Sequence, residues 1–262
     1  MSGTNRVAAN LNMLFTNLPL LQRYGAAASA GFKLVEVSIP YTEPAEKLRE
    51  AADEYHLKHT LINAPPGNWD DGFRGLASLK SAKKEFRKSL DTAIEYAKAL
   101  GCCRVHVMAG IPKSDDDLEN AHQTYSENVR FAAEKFKEHK LICLIEPINK
   151  YTIPGYHLNN YEDAMDVIQM DQSNNLKIQY DTFHAQQING QIGAIMRKLK
   201  DYIGYIQVAQ VPNRGACDTR GEIDYHFIFD EIRSINPSWV IGAEYLDAKP
   251  SFNWIENMSL SF

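Results

Sequence analysis

Short apolar segments alternate with longer amphipathic segments along almost the whole chain, at a repeat of about 30 residues. The apolar segments predict eight strands, which are VAANLNM, KLVEVSI, KHTLIN, CRVHVMAG, LICLI, LKIQYD, GYIQVAQ and WVIGAEYL. The amphipathic segments between them carry apolar residues at helical spacing and predict seven helices. The repeats share no evident sequence similarity, so the repetition lies in the architecture.

Capping residues mark several of the predicted helix ends. Pro19 stands where the first helix begins and Gly31 where it ends, at positions that favour these residue types. Ser114, followed by three aspartates, predicts the start of the fourth helix, and Gly101 the end of the third. Between strands six and seven the pattern predicts one helix, through residues 195–199. The Gly- and Pro-rich segment APPGNWDDGFRGLASL, after strand three, is predicted to be a functional loop.

Strict alternation of strands and helices predicts a parallel sheet with right-handed crossovers, and eight such units close into a (β/α)8 TIM barrel. We expect one domain over residues 1–262, with a short final helix in SFNWIENMSLSF. The alternative is an open doubly wound sheet, but no GxGxxG or Walker A pattern follows the first strand. Because the short last unit leaves part of the barrel wall less covered, it favours a subunit contact in a homo-oligomer.

Composition narrows the class of partner. Apolar residues make up 44% of the 262 residues and aromatic residues 10%, which suffices for a sizeable core. The 28 basic and 33 acidic residues give a net charge of -5 without any basic block, so we expect a small-molecule partner and neither nucleic acid nor a membrane surface. The N-terminal stretch lacks the pattern of a signal peptide, which predicts a cytoplasmic protein. The four cysteines have no metal-ligand spacing and are expected to be reduced.

Polar side chains stand at the ends of four consecutive predicted strands in the second half of the chain. The strand LICLI runs directly into Glu146, and the next three strands carry Asp181, Gln207 and Glu244 near their ends. In a closed parallel barrel these ends meet on one face, so the three carboxylates would repel each other unless a cation joins them. Oxygen donors without a thiolate suit Mg²⁺ or Mn²⁺ better than zinc. The alternative is local pairing of each acid with Lys or Arg.

Two of these carboxylates point to proton-transfer chemistry. Glu146 and Glu244 lie three strands apart, so a metal-bound substrate between them would present a carbon to each. This arrangement suits proton abstraction next to a carbonyl, with the metal stabilising an enediolate, and therefore isomerisation or epimerisation. The sequence contains no GxSxG nucleophile elbow and no evident Cys-His pair, which leaves covalent catalysis with little support.

Four further residues are candidates for substrate binding. His184 follows Asp181 in DTFH and Arg214 follows strand seven in VPNRG, where each is close enough to contact a bound ligand. Arg74 in GFRGL and His106 on strand four are the other two candidates. The alternatives are a capping or solvent-facing role for His184, solvated loop positions for the two arginines, and a space-filling role in the barrel for His106.

Seven segments, in order, make the chain recognisable. They are AANLNMLF, GFKLVEVSIPY, LINAPPG, AKALGC with VHVMAG, LIEPIN with IPGY, YDTFH, and IQVAQVPNRG with GEIDY. Together they resemble the hydroxypyruvate isomerases, in particular their animal members, within the xylose isomerase-like barrel superfamily. The resemblance extends to about Tyr245. Departures from the family pattern at Tyr151, Thr152, Ala216 and Cys217 bear on the identity of the substrate.

The resemblance implies a (β/α)8 barrel that converts hydroxypyruvate reversibly into 2-hydroxy-3-oxopropanoate. It implies that Glu146 and Glu244 act as proton donor and acceptor, and that Asp181 and Gln207 complete the metal site. It also implies that His184 and Arg214 contact substrate. Three rival functions stay open: a ketose 3-epimerase of the same superfamily, an endonuclease IV-like DNA repair enzyme, which would need a His-rich zinc cluster and a basic face, and a non-catalytic barrel.

Overall fold

The computed structural model describes residues 6–246 and 251–262, and within them eight parallel strands form a closed barrel in chain order. The strands are β1 (Arg6–Asn10), β2 (Leu34–Val37), β3 (Lys58–Asn63), β4 (Arg104–His106), β5 (Ile142–Ile145), β6 (Leu176–Asp181), β7 (Ile203–Val208) and β8 (Val240–Ala243). The predicted fold class is confirmed. Residues 1–5, part of the stretch behind the compartment prediction, lie outside the described residues.

Helices alternate with these strands. They are α1 (Leu20–Ser29), α2 (Ala45–Glu54), α3 (Lys83–Leu100), α4 (Asp115–Glu138), α5 (Tyr161–Met170), α6 (Thr182–Ile188), α7 (Ile192–Leu199), α8 (Tyr225–Ile235) and α9 (Asn253–Asn257). A 3-10 turn at Lys80–Ala82 leads into α3. The five residues of α9 match the predicted short final helix. No helix among the described residues combines the length and the apolar character needed to cross a membrane.

Helix ends follow the capping residues. The Ser114 side chain accepts a hydrogen bond from the Asp117 backbone N–H, and aspartates fill the first turn of α4, where the helix dipole favours negative charge. At the end of α3, Gly101 adopts a φ of 64°, a left-handed conformation that glycine tolerates without strain. Both predicted helix ends are confirmed.

The contacts of the chain form two compact units. In the first, formed by residues up to 61 and from 180 onward, β1 pairs with β2 and with β8, and β7 pairs with β8. In the second, residues 62–179, β4 pairs with the end of β3 and with β5, and β5 pairs with β6. Each unit buries its own apolar strand residues, such as Val35 and Ile241 in the first and Val105 and Leu144 in the second. The single-domain assignment stays a prediction.

The structure adds one helix that the hydrophobic pattern does not predict. Directly after β6, Asp181 accepts a hydrogen bond from the Phe183 backbone N–H and thereby caps α6. The helix is too short to show an apolar period, so the hydrophobic pattern does not detect it. As a result, His184 lies in the first turn of a helix and is buried.

Strand β4 is shorter than the predicted segment CRVHVMAG because the Gly-rich loop pairs with its last residues. Gly75 bridges Ala109 in antiparallel fashion, and the Ser78 backbone N–H donates to the Ala109 carbonyl. Gly75 adopts a φ of 121°, and a Cβ there would lie 2.3 Å from the Met108 carbonyl oxygen. Only glycine fits this close backbone approach. These contacts hold this part of the loop against the segment after β4, and the functional role of the loop stays a prediction.

Candidate functional site

Glu36 forms the buried centre of a polar cluster in the first unit. Its Oε1 atom accepts hydrogen bonds from Asn10 Nδ2 at 2.7 Å and from Gln207 Nε2 at 2.9 Å. Strand register explains the first contact, since Asn10 is the direct partner of Glu36 across β1 and β2. All three side chains are fully buried. We call Asn10, Glu36, Asp181, Gln207, Arg214 and Glu244 the carboxylate cluster.

Gly242 makes room for the Glu36 carboxylate. Gly242 is the register partner of Gln207 in β7 and of Ala8 in β1, which brings β8 beneath the centre of the carboxylate cluster. A Cβ on Gly242 would lie 2.4 Å from Glu36 Oε2 and 2.8 Å from its carboxyl carbon. A side chain of any size at this position would therefore displace the carboxylate.

This close approach predicts a large effect of one added methyl group. Gly242→Ala should lower the free energy of unfolding by about 1–3 kcal/mol, because overpacking forces Glu36 out of its position. Urea unfolding followed by circular dichroism measures the change. Gly193→Ala is the control, since the nearest atoms to a Cβ there belong to the Phe227 and Glu231 side chains, at 3.3 and 3.4 Å. An equal stability of Gly242→Ala and the unmodified protein would refute the described packing.

Glu244 follows β8 and is held from two sides. Asn10 Nδ2 donates to its Oε1 at 3.2 Å, and Arg214 Nη2 donates to its Oε2 at 2.6 Å. Arg214 also reaches Asp181, with Nη2 at 3.4 Å from Oδ2, and its guanidinium lies 4.8 Å from the ring centre of Phe183. Arg214 itself has a φ of 53°, which directs the loop after β7 back toward Glu244. This is the local pairing with Arg that the sequence leaves as the alternative to a metal.

Asp181 ends β6 and is fully buried. One of its oxygens caps α6, while Oδ2 lies 3.6 Å from His184 Nε2. Burial raises the pKa of Asp181 to about 7, Arg214 opposes this shift, and the charge of Glu244 adds to it. Near neutral pH this carboxyl group is therefore poised between its protonated and ionised forms.

The Glu36 carboxyl group is perturbed in the same direction. Burial raises its pKa to about 8, and the nearby Glu244 charge adds to the shift, while the hydrogen bonds from Gln207 and Asn10 oppose it. The first unit thus brings three carboxyl groups close together, and two of them, Asp181 and Glu244, contact the guanidinium of Arg214. A further positive charge there would lower the cost of ionising all three.

The residues of the carboxylate cluster, together with His184, fit a hard divalent cation. Asp181 and Glu244 supply carboxylate oxygens, and His184 offers a nitrogen 3.6 Å from Asp181. Because the Gln207 amide nitrogen donates to Glu36, the atom that Gln207 can offer a cation is its amide oxygen. This mixture of carboxylate, amide and imidazole donors without a thiolate is typical of Mg²⁺ and Mn²⁺ sites.

Glu146 lies in the second unit, immediately after β5. Its Oε2 accepts a hydrogen bond from Gln179 Nε2 at 2.9 Å, as the neighbouring register pair Ile145 and Ile178 requires. His106, which is buried on β4, has Nδ1 at 3.7 Å from the same oxygen. Burial lowers the pKa of His106 to about 3, so this histidine is neutral near pH 7. Glu146 is thus a buried carboxylate, as the sequence predicts.

Arg74 orders the Gly-rich loop. Its Nη1 donates to the carbonyl oxygens of Trp69 at 2.8 Å and of Phe73 at 2.7 Å, and its guanidinium stacks 3.9 Å from the Trp69 ring centre. These contacts give Arg74 a role within the loop, and its contact with substrate stays a prediction. The same holds for substrate contacts of His184, His106 and Arg214.

Three buried polar residues that hydrogen-bond the candidate site residues escape the sequence analysis: Asn10, Glu36 and Gln179. The sequence could have indicated Glu36 as a candidate site residue, since this charge interrupts the apolar strand LVEV, just as Glu146 follows an apolar strand. Asn10 and Gln179 carry no such signal, because a single amide in a strand fits an ordinary alternation of polar and apolar residues.

A closed parallel barrel whose strands end in buried carboxylates is typical of enzymes of the (β/α)8 class. The family model described as Xylose isomerase-like TIM barrel matches residues 24–260, which is most of the chain. The protein therefore belongs to the xylose isomerase-like TIM barrel family.

Individual relatives agree with this assignment. A 2-oxo-tetronate isomerase of Cupriavidus necator is 39% identical over 240 residues, which is 92% of each chain. The hydroxypyruvate isomerase of Escherichia coli is 38% identical over 92% of this chain and 93% of its own, and animal relatives match as well. Among solved structures, one titled AP endonuclease, family 2, from Brucella melitensis has a TM-score of 0.92 at 33% identity, covering 97% and 99% of the two chains. The predicted family resemblance is confirmed.

Proposed function

We propose that the protein interconverts hydroxypyruvate and 2-hydroxy-3-oxopropanoate. The protein is an isomerase, in line with its family and with relatives that carry isomerase names over more than nine-tenths of the chain. The observation that carries the proposal is the buried grouping of Asp181 and Glu244 around Arg214, with Gln207 held beside them by Glu36. Carboxylates with a nearby cation are what proton transfer next to a carbonyl needs.

Glu146 and Glu244 are the proposed proton-transfer residues. One carboxylate removes a proton from C3 of hydroxypyruvate, and the other delivers a proton to C2, while the hydroxyl proton passes from O3 to O2. The C3 hydroxyl becomes an aldehyde and the C2 ketone becomes a secondary alcohol, so the reaction needs no external oxidant or reductant. Support comes from the burial of Glu146 and from the paired contacts that orient Glu244.

The proposed cofactor is Mg²⁺ or Mn²⁺, held by Glu146, Asp181, Gln207 and Glu244. Such an ion supplies positive charge that stabilises negative charge on the substrate oxygens. The donor types of the carboxylate cluster support this proposal, and so does the burial of Glu146, Asp181 and His184, all residue types that ligate metals. In this proposal Arg214 leaves its carboxylate partners to bind the carboxylate of the substrate, and His184 contacts a substrate oxygen.

A second candidate substrate is 2-oxo-tetronate, because three relatives with 36–41% identity carry the name 2-oxo-tetronate isomerase. Both candidates are acids with a carbonyl at C2 and a hydroxyl at C3, so the same two carboxylates could move protons on either. They differ by one carbon beyond C3. The ratio of kcat/KM for the two compounds decides which one the pocket fits.

NMR of product mixtures tests the proposed function directly. The Mn²⁺-loaded protein is incubated separately with hydroxypyruvate, 2-oxo-tetronate and a panel of ketoses. We expect conversion of an acid substrate by transfer of the carbonyl from C2 to C3. Epimerisation of a ketose at C3, without conversion of either acid, would instead identify a ketose 3-epimerase.

DNA repair is a rival function, because the similar structure from Brucella melitensis is named an AP endonuclease. The net charge of -5 of the present chain disfavours binding to a polyanion, and the proposed ligand set lacks the histidines of a multi-zinc centre. Incubation with an abasic duplex, together with a zinc determination, examines this rival. Strand cleavage by a zinc-loaded protein would overturn the isomerase proposal. A protein that binds no metal and turns over none of these compounds would be a non-catalytic barrel.

A further inference from the structure

We propose that Glu36 is a positioning residue that turns the Gln207 amide oxygen toward the metal and, through Asn10, fixes the orientation of Glu244. The inference rests on the proposed metal centre and extends it to a side chain outside the proposed ligand set. It is drawn from contacts within the first unit alone.

Glu36 determines which end of the Gln207 amide faces the proposed metal. A glutamine amide has a donor end and an acceptor end of nearly equal size, so its side chain alone does not decide which end faces a cation. The oxygen Glu36 Oε1 is an acceptor whether or not the other carboxyl oxygen carries a proton, and it accepts hydrogen bonds from Gln207 Nε2 at 2.9 Å and from Asn10 Nδ2 at 2.7 Å. The nitrogen end of the amide is thereby directed to Glu36, and the oxygen end is directed away from it.

The amide of Asn10 is held at both its oxygen and its nitrogen. Its Oδ1 accepts a hydrogen bond from the Asn12 backbone N–H at 2.9 Å, so its Nδ2 is the end that faces the carboxylates. That nitrogen donates to Glu36 Oε1 at 2.7 Å and to Glu244 Oε1 at 3.2 Å. Asn10 therefore links the two carboxylates and fixes one oxygen of Glu244.

The absence of a side chain at Gly242 leaves space for the Glu36 carboxylate. Glu36 is fully buried, and the strand beneath it carries Gly242, where a Cβ would lie 2.4 Å from Glu36 Oε2. A buried carboxylate is costly unless it is compensated, so a purely structural role would be met more cheaply by an apolar residue. The cost is explained if Gln207 and Asn10 need the hydrogen-bond acceptor that Glu36 Oε1 provides.

Metal affinity is the direct readout. Isothermal titration with Mn²⁺ on the full chain compares the unmodified protein with Glu36→Val, which removes both acceptor oxygens. We expect about 10- to 100-fold weaker Mn²⁺ binding, the usual effect of losing the partner of a metal ligand. Tyr24→Phe is the matched control, because it removes a buried hydrogen bond to His59 elsewhere in the first unit and should leave Mn²⁺ binding unchanged. Circular dichroism melts confirm that each variant is folded.

An exchange of the two side chains separates positioning from a merely structural role. Gln207→Glu alone should bind Mn²⁺ poorly, because two carboxylates would face each other across the former hydrogen bond. In the double variant Glu36→Gln with Gln207→Glu, the amide nitrogen at position 36 takes the place of Oε1 and donates to the carboxylate at position 207, while the contact with Asn10, which reaches the same atom, is lost. We expect the double variant to recover at least tenfold in Mn²⁺ affinity over Gln207→Glu alone.

The outcomes distinguish this inference from the proposal on which it rests. If the unmodified protein binds neither Mn²⁺ nor Mg²⁺, the metal centre and the inference are both wrong. If the unmodified protein binds Mn²⁺ and folded Glu36→Val binds it equally well, only the positioning role is overturned. Failure of the double variant to recover affinity, with its fold intact, also overturns it.

Discussion

Glu244→Gln should lower kcat for hydroxypyruvate by about 10²- to 10⁴-fold, because an amide of the same shape can neither accept nor deliver the proton. The amide keeps one oxygen, which can accept from either Asn10 or Arg214 but not from both, and Arg214 still contacts Asp181, so we expect the fold to survive. Glu146→Gln should have an effect of similar size. The rate is followed by NMR at saturating Mn²⁺, with Mn²⁺ affinity measured in parallel to separate loss of the metal from loss of proton transfer.

The control for these substitutions is another glutamate of the first unit. Glu222 lies in the loop after β7 with an exposed side chain, and its backbone N–H donates to the Val211 carbonyl oxygen. Glu222→Gln should leave kcat within about twofold of the unmodified enzyme, since surface substitutions away from a site have small effects. Unchanged turnover in both Glu146→Gln and Glu244→Gln would rule out the proposed proton transfer.

Stability of the metal-free protein should fall by on the order of 6 kcal/mol as pH rises from about 5 to about 8. Burial raises the pKa of Glu36 to about 8 and that of Asp181 to about 7. For an acid whose pKa is higher in the folded state, the contribution to stability is complete below the ordinary pKa and is lost as pH rises through the folded-state pKa. The folded protein then carries buried carboxylates that repel each other.

Thermal unfolding of chelated protein across this pH range measures the effect. Added Mn²⁺ should raise the unfolding temperature more at pH 8 than at pH 5, because the cation competes with protons for the same carboxylates. Glu36→Gln should flatten the pH dependence, since the uncharged amide removes one titrating group. A stability of the chelated protein that rises steadily between pH 5 and 8 would contradict the described electrostatics.

The strand and helix order is predictable because it depends on local patterns. Strands β3 and β6 begin and end where the apolar segments KHTLIN and LKIQYD place them. The exception is α6, whose start depends on one cap, Asp181, and whose length is below a detectable period. Strand β4 ends early because a loop more than 25 residues upstream, at Gly75, pairs with the backbone beyond it. A local pattern carries no information about such a partner.

The sequence likewise predicts some residues of the candidate site but not the contacts between them. The strand-end acids Asp181 and Glu244 are visible in the sequence because a charge after a buried strand is costly. The hydrogen bonds that orient them are invisible there, since they join residues such as Asn10 and Glu244, which are 234 positions apart. Glu36 is predictable only in part. Its charge inside the apolar strand β2 marks it as unusual, but its partner Asn10 is set by the register between β1 and β2. The joint ligation of one ion by Glu146, Asp181, Gln207 and Glu244 stays a prediction.

The central claim is that these buried carboxylates act on a hydroxy-keto acid with the help of a divalent cation. Its most direct test is the rate of hydroxypyruvate conversion by chelated protein, titrated with Mn²⁺ or Mg²⁺ and with the product identified by NMR. The account predicts little turnover after chelation and recovery at saturating metal, with 2-hydroxy-3-oxopropanoate as product. Full turnover by protein shown to be metal-free, or no turnover with either ion, would contradict it.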